Sequence, residues 1–317
     1  MEVSLNLNIE SDGLKFSPVG NGECEVSGIG KCKDKRVVIP AYSKKLFSRL
    51  PVTGIGVRAF FMSKAEEVII PFGVRVIGDD AFENCSSLFA VSLPDSLEEI
   101  GGGAFFCCSS LREINLPKNL KSIGRLAFSL CGELERVEIP ASVTSIEESA
   151  FSSCASLTEI AADPENKKYK SGVSCLIDTE KKALVWGCAK TVIPADGSVT
   201  AIAPRAFSGC ETIERVVIPA PFERIGSGAF CGCSELSEAV LADTVEVIEN
   251  SAFSGCDILS TVRLGAGVRE IEDHAFGHSE RIADVYYNGT KEDWDKIKVG
   301  EGNGSLAEAR MHFLLSV

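Results

Sequence analysis

Seven of the chain's 13 cysteines fall at fixed intervals: Cys85, Cys108, Cys131 and Cys154, then Cys210, Cys233 and Cys256, in steps of 23 residues inside each set. Thiols aligned in this way could ligate a metal or cross-link, because the thiolate is both a nucleophile and a soft donor. Three features argue for small packed thiols instead. Ser63 and Ser279 fill the same slot in the outer repeats, the cysteine total is odd, and no Cys-x-x-Cys pair occurs. Cys175 and Cys188 share an irregular stretch and form the candidate disulfide pair. His274 and His278 have the i, i+4 spacing that holds a metal on a helix. Yet His274 occupies a slot that elsewhere is Arg58, Asp80, Gly103, Leu126, Ser149 or Ser251, so the two read as surface residues. No Gly-x-Ser-x-Gly, phosphate-cradling loop or His-Glu-x-x-His is present. No catalytic, cofactor-binding or metal-binding residue is therefore assigned. An enzyme would need a pocket with perturbed acids or bases, for which the surroundings of Tyr169, Lys170 and Trp186 are the nearest candidate.

The elements that would position these side chains repeat. Ala-Phe recurs at Ala81-Phe82, Ala104-Phe105, Ala127-Phe128 and Ala150-Phe151, then at Ala206-Phe207, Ala229-Phe230, Ala252-Phe253 and Ala275-Phe276, and each column cysteine follows its phenylalanine by three residues. A period in the twenties means one small unit stacked on copies of itself, sharing a core no single unit could build. In Leu111 to Pro117 the apolar residues Ile114 and Leu116 alternate with polar neighbours, which predicts a half-buried strand with Glu113 and Asn115 facing solvent. Pro117 ends that strand, as do Pro71, Pro94, Pro140, Pro194 and Pro219 in their turns. A turn residue follows that is Gly78, Gly101, Gly124 or Gly226 but also Glu147, Glu249 or Glu272, so a positive φ is not obligatory there. The unit closes on Ala-Phe and Cys, read as a single helical or 3-10 turn.

This pattern of strand, Pro, Ile-Gly or Ile-Glu, Ala-Phe and Cys, as in Ser110-Leu111 through Cys131, resembles the BspA-like, or Treponema-type, leucine-rich repeat. The resemblance implies an α/β solenoid: a right-handed superhelix with a parallel sheet on the concave face and short helical or 3-10 turns on the other side. It also implies one domain over residues 1–317. Within it, 1–50 form an N-terminal cap, 51–162 repeats, 163–193 an enlarged irregular repeat with a hairpin, 194–285 repeats, and 286–317 a C-terminal cap. In the last of these, Thr290 could cap a short helix running through Trp294 and Ile297, with Asp293 at the capping-box spacing.

At 317 residues and 45% hydrophobic content there is ample material for an elongated core, and no run resembles a transmembrane helix. A net charge of −13 argues against nucleic acid or an anionic membrane as partner. The densest basic cluster, Lys31, Lys33, Lys35 and Arg36 with Lys44, Lys45 and Arg49 nearby, reads as a solvated cap. Asn84-Cys85-Ser86, Asn288-Gly289-Thr290 and Asn303-Gly304-Ser305 match glycosylation sequons, which matter only in a eukaryotic secretory pathway.

The working surface left over is the sheet face. Two residues before each proline slot stand Ile69, Ser92, Asn115, Glu138 and Ala161, then Val192, Val217, Val240, Arg263 and Tyr286. Val192, Val217 and Val240, flanked by Lys190, Arg215 and Arg263 and continued by Tyr286, are the expected partner-contact strip, because contiguous exposed apolar area marks interaction. Two function classes follow. One is a non-catalytic recognition protein, which the resemblance favours because BspA-like proteins are linked to surface adhesion and to binding host or matrix proteins; its partner would be a protein, or a glycan, and the chain a monomer. The other is an intracellular scaffold, favoured because Met1 to Asn6 carry neither a basic start nor the apolar stretch of a signal peptide.

Overall fold

Each rung of the fold is built from two short strands and a run of turns. In the rung that follows Leu111, the strand Glu113–Ile114 is succeeded by a turn in which the Leu120 N–H donates to the Pro117 carbonyl, then by the strand Ser122–Ile123. The proline slot thus opens a turn as well as closing a strand, with Pro71, Pro94, Pro140 and Pro219 accepting the same i+3 bond. Ser122–Ile123 pairs in parallel with its equivalents on both sides and Glu113–Ile114 with Arg136–Val137, so strands pair on two sides of the rung and not in the single narrow sheet the strand pattern suggested. Ile55, Ile77, Ile100, Ile123 and Ile146 pair across the second ladder.

The computed structural model describes residues 10–43 and 49–315. Lys44, Lys45 and the Met1 to Asn6 start lie outside the described residues. The chain falls into two compact units, Met1–Phe151 and Ser152–Val317. In the first, an antiparallel hairpin, Lys15–Gly20 with Glu23–Gly28, lays its second strand parallel to Val52–Ile55 and so covers the first rung. In the second unit the strand Glu159–Ala162 is followed by three antiparallel strands, Tyr169–Gly172, Cys175–Asp178 and Ala183–Gly187. The last of these starts a parallel ladder through Ala201–Ile202, Arg224–Ile225, Val247–Ile248, Glu270–Ile271 and Lys298–Val299. Its other ladder runs through Arg215–Ile218, Glu238–Leu241, Thr261–Leu264, Asp284–Tyr287 and Arg310–Phe313.

The Ala-Phe segments are neither helical nor 3-10. Among the described residues, α-helix is confined to Lys291–Trp294 and Gly304–Glu308. Around Phe82 the local bonds run Ala81 to Gly78, Glu83 to Asp80 and Cys85 to Phe82, while the alternate N–H groups of Asp80, Phe82 and Asn84 reach the carbonyls of Gly102, Ala104 and Phe106 in the next rung. One residue in two therefore closes a turn and the other joins rungs, a division a 3-10 run does not allow. It requires two left-handed residues per rung, Asp80 and Asn84 at φ 54° and 58° here, Leu126 and Leu130 at 58° and 61° further on. Glycine meets the demand at Gly103 and Gly228. The Gly78 slot itself is not left-handed; at Gly124 an added Cβ would stand 2.5 Å from the Gly102 nitrogen, so the glycine there serves close approach of rungs.

Equivalent side chains then stack at the rung spacing. Phe60, Phe82, Phe105, Phe128 and Phe151 lie 4.8 to 5.3 Å apart by ring centroid, and Phe207, Phe230, Phe253 and Phe276 lie 4.8 to 5.2 Å apart. Five of the seven column cysteines are hydrogen-bond donors to the rung before. Cys85, Cys108 and Cys131 give their S–H to the carbonyls of Phe60, Phe82 and Phe105 at 3.0, 3.1 and 3.2 Å, and Cys233 and Cys256 do the same to Phe207 and Phe230 at 3.3 Å. Ser279 performs this role with its hydroxyl, 2.7 Å from the Phe253 carbonyl. Every cysteine is a free thiol, Cys175 and Cys188 included. Burial pushes Cys175 up to about 11 and Cys256 up to about 12, and holds Cys233 higher still.

The C-terminal end is closed by polar substitutes for a rung. Asn303 is buried, accepts from the Phe276 N–H at 2.9 Å and donates to the Glu272 carbonyl at 2.9 Å. Thr290 caps Lys291–Trp294 by accepting from the Asp293 N–H, and the Tyr287 ring packs edge-on to Trp294 at 5.5 Å.

Two outcomes are expected. Phe128→Ala removes a fully buried ring from the middle of its column and should cost about 3–5 kcal/mol in denaturant unfolding. The raised thiols make the unfolded chain release protons first, so stability should be full below the ordinary thiol value of 9.0 and fall as pH rises toward about 12; Cys256→Ser, which keeps a donor, should flatten that decline.

Candidate functional site

The open face of the second unit's five-stranded ladder carries a connected chain of polar and aromatic side chains. Strand alternation sends Val216 and Ile218 inward to the core and Arg215 and Val217 outward. Register then aligns Arg215, Glu238, Thr261, Asp284 and Arg310 in one outward column, and Val217, Val240, Arg263, Tyr286 and His312 in the next. Glu238 is gripped from both sides, 2.6 Å from Arg215 Nε and 2.8 Å from Arg263 Nε. Those bonds, from Arg263 first and Arg215 second, hold its carboxyl below the usual range. The Arg263 guanidinium lies 4.1 Å over the Tyr286 ring, and Tyr286 stacks on His312 with centroids 4.3 Å apart. His312 Nε2 meets Asp284 at 2.7 Å, and Arg310 reaches the same carboxylate at 3.4 Å. The hydrogen bond from His312 is the main cause of a lowered Asp284 pKa. Three arginines thus face two carboxylates, an excess of one positive charge within this group of side chains on a chain of net charge −13.

Of the strip expected from sequence, Val217, Val240, Arg263 and Tyr286 come together in register, with Arg215 beside them. Val217 is 42% exposed and Val240 half-buried. Lys190 and Val192 stand apart from the ladder: the 189–195 segment forms no strand, and the Val192 N–H bonds to the Val173 carbonyl of the preceding hairpin. Sequence reasoning missed His312 and Arg310, because Arg310–Phe313 has neither the Ala-Phe pair nor the proline and reads as part of a cap. Its polar-apolar alternation was the available signal.

Other chemistry-bearing residues are placed less favourably. His274 and His278 lie in turns at φ 54° and 57°, so their spacing does not put them on one helical face. Tyr169 and Trp186 are buried core residues, and Lys170 is exposed on a hairpin strand. Lys35 and Arg36 of the basic cluster pair with Glu66 and Glu67. Asn303 is engaged in the closing rung, and Asn288 donates to both oxygens of Asp243 at 2.8 and 3.0 Å. Among the described residues no cluster of three or more metal-ligating side chains occurs, and no helix is long and apolar enough to cross a membrane.

Stacked parallel rungs with phenylalanine, isoleucine and cysteine columns, and an open sheet face on which variable side chains are displayed, define a leucine-rich-repeat solenoid. Residues 53–173 and 186–296 match the BspA type leucine rich repeat region in 6 copies, and the chain belongs to that family. Solved structures share the fold. The pneumococcal vaccine antigen PcpA superposes with a TM-score of 0.70 at 18% identity over 98% of this chain and 88% of its own. A leucine-rich repeat protein from Eubacterium ventriosum gives 0.64 at 21% identity over 87% and 82%. A leucine rich cell surface protein from Faecalibacterium prausnitzii gives 0.56 at 23% identity over 92% and 97%. No curated protein matches the chain in sequence.

The Asp284 and His312 pair yields a measurable titration. With its pKa depressed, Asp284 stabilises the fold above its unfolded value and loses that contribution as pH falls through the lower folded one. NMR titration of His312→Ala should show the Asp284 midpoint rising toward 3.8.

Proposed function

We propose that the protein is a non-catalytic recognition module that binds a protein partner, or a glycan, through the open face of the second unit's ladder, taken as the concave face of a right-handed superhelix. The observation that carries this reading is the continuous array from Arg215 through Glu238, Arg263, Tyr286 and His312 to Asp284, beside exposed Val217. Its own ion pairs and ring stacks restrict these side chains before a partner arrives, which lowers the ordering cost of binding. Tyr, Arg and aliphatic anchors next to one another are the composition of binding hot spots. The family and its cell-surface neighbour support a surface-exposed or secreted adhesion role for a monomeric chain.

A second reading, an intracellular scaffold, is favoured by one observation: all 13 cysteines are free thiols, a state that persists most readily in a reducing compartment. Fractionation of the source cells separates the two.

Val217→Glu with Val240→Glu places two carboxylates on the strip without touching the inward column. Partner binding should fall at least a hundredfold, by surface plasmon resonance, with the thermal midpoint unchanged within a few degrees. Undiminished binding by the double variant would remove this face as the site.

A further inference from the structure

The break in the repeat rhythm leaves an open edge on the first strand of the second unit's five-stranded ladder. Ser237 N–H donates to the Glu214 carbonyl at 2.9 Å and Ala242 N–H to the Ile218 carbonyl at 3.0 Å, so the even residues of the first strand serve its pairing with Glu238–Leu241. In a parallel strand the alternate residues, Arg215 and Val217, turn their N–H and C=O to the opposite side. There, among the described residues, no main-chain hydrogen bond joins the strand to the 189–195 segment. The corresponding place in the first unit is paired: Glu67 N–H reaches Lys35 and Ile39 N–H reaches Ile69. Between the strand and the 189–195 segment runs a groove with Ala189, Ile193, Phe207, Ile213 and Val216 among its lining, and Arg215 as the one charged lining residue. Lys190, exposed between lining residues Ala189 and Thr191, has no ion pair among the described residues. Arg215 gives only its Nε–H to Glu238.

We propose that Arg215–Ile218 is a docking edge for an extended segment of a protein partner, added as a further strand in this groove and carrying a carboxylate toward Lys190 and Arg215. The proposal rests on the recognition reading of this face and names its mode. Unpaired main-chain groups along this end strand select an extended polypeptide, since only another backbone satisfies donors and acceptors at this spacing. Four residues of edge offer about 13 Å, at about 3.3 Å each. The apolar lining accepts the inward side chains of such a segment, and Lys190, together with the guanidinium N–H groups that Arg215 does not give to Glu238, selects an acidic one.

The probe is a fluorescein-labelled, capped peptide Ser-Glu-Ala-Val-Leu-Ala, the 237–242 sequence that already pairs with this strand on its other side. Peptide addition to the full chain should slow hydrogen exchange of the Arg215 and Val217 amides at least tenfold, and Lys190→Glu should weaken binding severalfold. Val217→Pro deletes an N–H that the native ladder does not use, which an edge strand tolerates. It should weaken the peptide at least tenfold with the thermal midpoint preserved, while Val217→Thr binds normally. Unchanged exchange at Arg215 and Val217 with peptide at millimolar concentration, or full binding by a folded Val217→Pro chain, overturns the edge. If Val217→Pro keeps the partner that the Val217→Glu, Val240→Glu chain loses, the edge falls and the face stands. If the peptide docks on the edge and that double variant keeps the partner, the face falls and the edge stands.

Discussion

Every part of this fold answers to the distance between rungs. Parallel main chains hydrogen-bond at about 4.8 Å, and here the constraint extends past the two strand ladders to the turn side, where Phe82 N–H reaches Ala104 and Phe105 N–H reaches Ala127. Once backbones are held at that spacing, whatever occupies an equivalent position must tolerate its own copy above and below. Phenylalanine rings do so by stacking nearly parallel, Phe82 and Phe105 within 1°. Isoleucine does so by interlocking, and a thiol by reaching the carbonyl of the rung before it.

The same rule explains which charges the surface can carry. Like charges in register would repel at a few ångströms, and on these ladders opposite charges meet instead: Arg36 pairs with Glu67, and Glu238 is held by Arg215 in its own column and by Arg263 from the next. Carboxylates also serve the turns. Asp79 takes the N–H of Gly102 at 2.7 Å, while Glu147, Glu249 and Glu272 take those of Arg125, Ser227 and Asn250 at 2.9 Å. Glutamate in the glycine slot is therefore a cap for the neighbouring rung, which is why the slot accepts two such different residues.

Legibility in the sequence followed periodicity. The Ala-Phe, Ile and Cys columns, and the alignment of Val217, Val240, Arg263 and Tyr286, could be read because each repeats its spacing and the register is one residue to one residue. The second strand was hidden because only two residues, such as Ser122–Ile123, define it. The left-handed positions were hidden because Asp80, Leu126, Ser149, Arg205 and His274 share a backbone state and no side-chain property. Lys190 and Val192 matched the column by counting, but the enlarged turn before them ties their segment to the hairpin, through Thr191 Oγ1 on the Ser174 carbonyl at 2.6 Å as well as Val192. Counting also stopped one rung short of Arg310 and His312.

Six of the slots in the donor ladder, Ser279 as well as Cys256 among them, are filled by a small group that gives a hydrogen bond to the rung before. At this position a hydroxyl and a thiol make the same bond, and the phenylalanine column runs on from Phe253 to Phe276 beside the serine. The thiol content of the column and the side chains of the open face therefore occupy separate positions, and a change in one leaves the other in place.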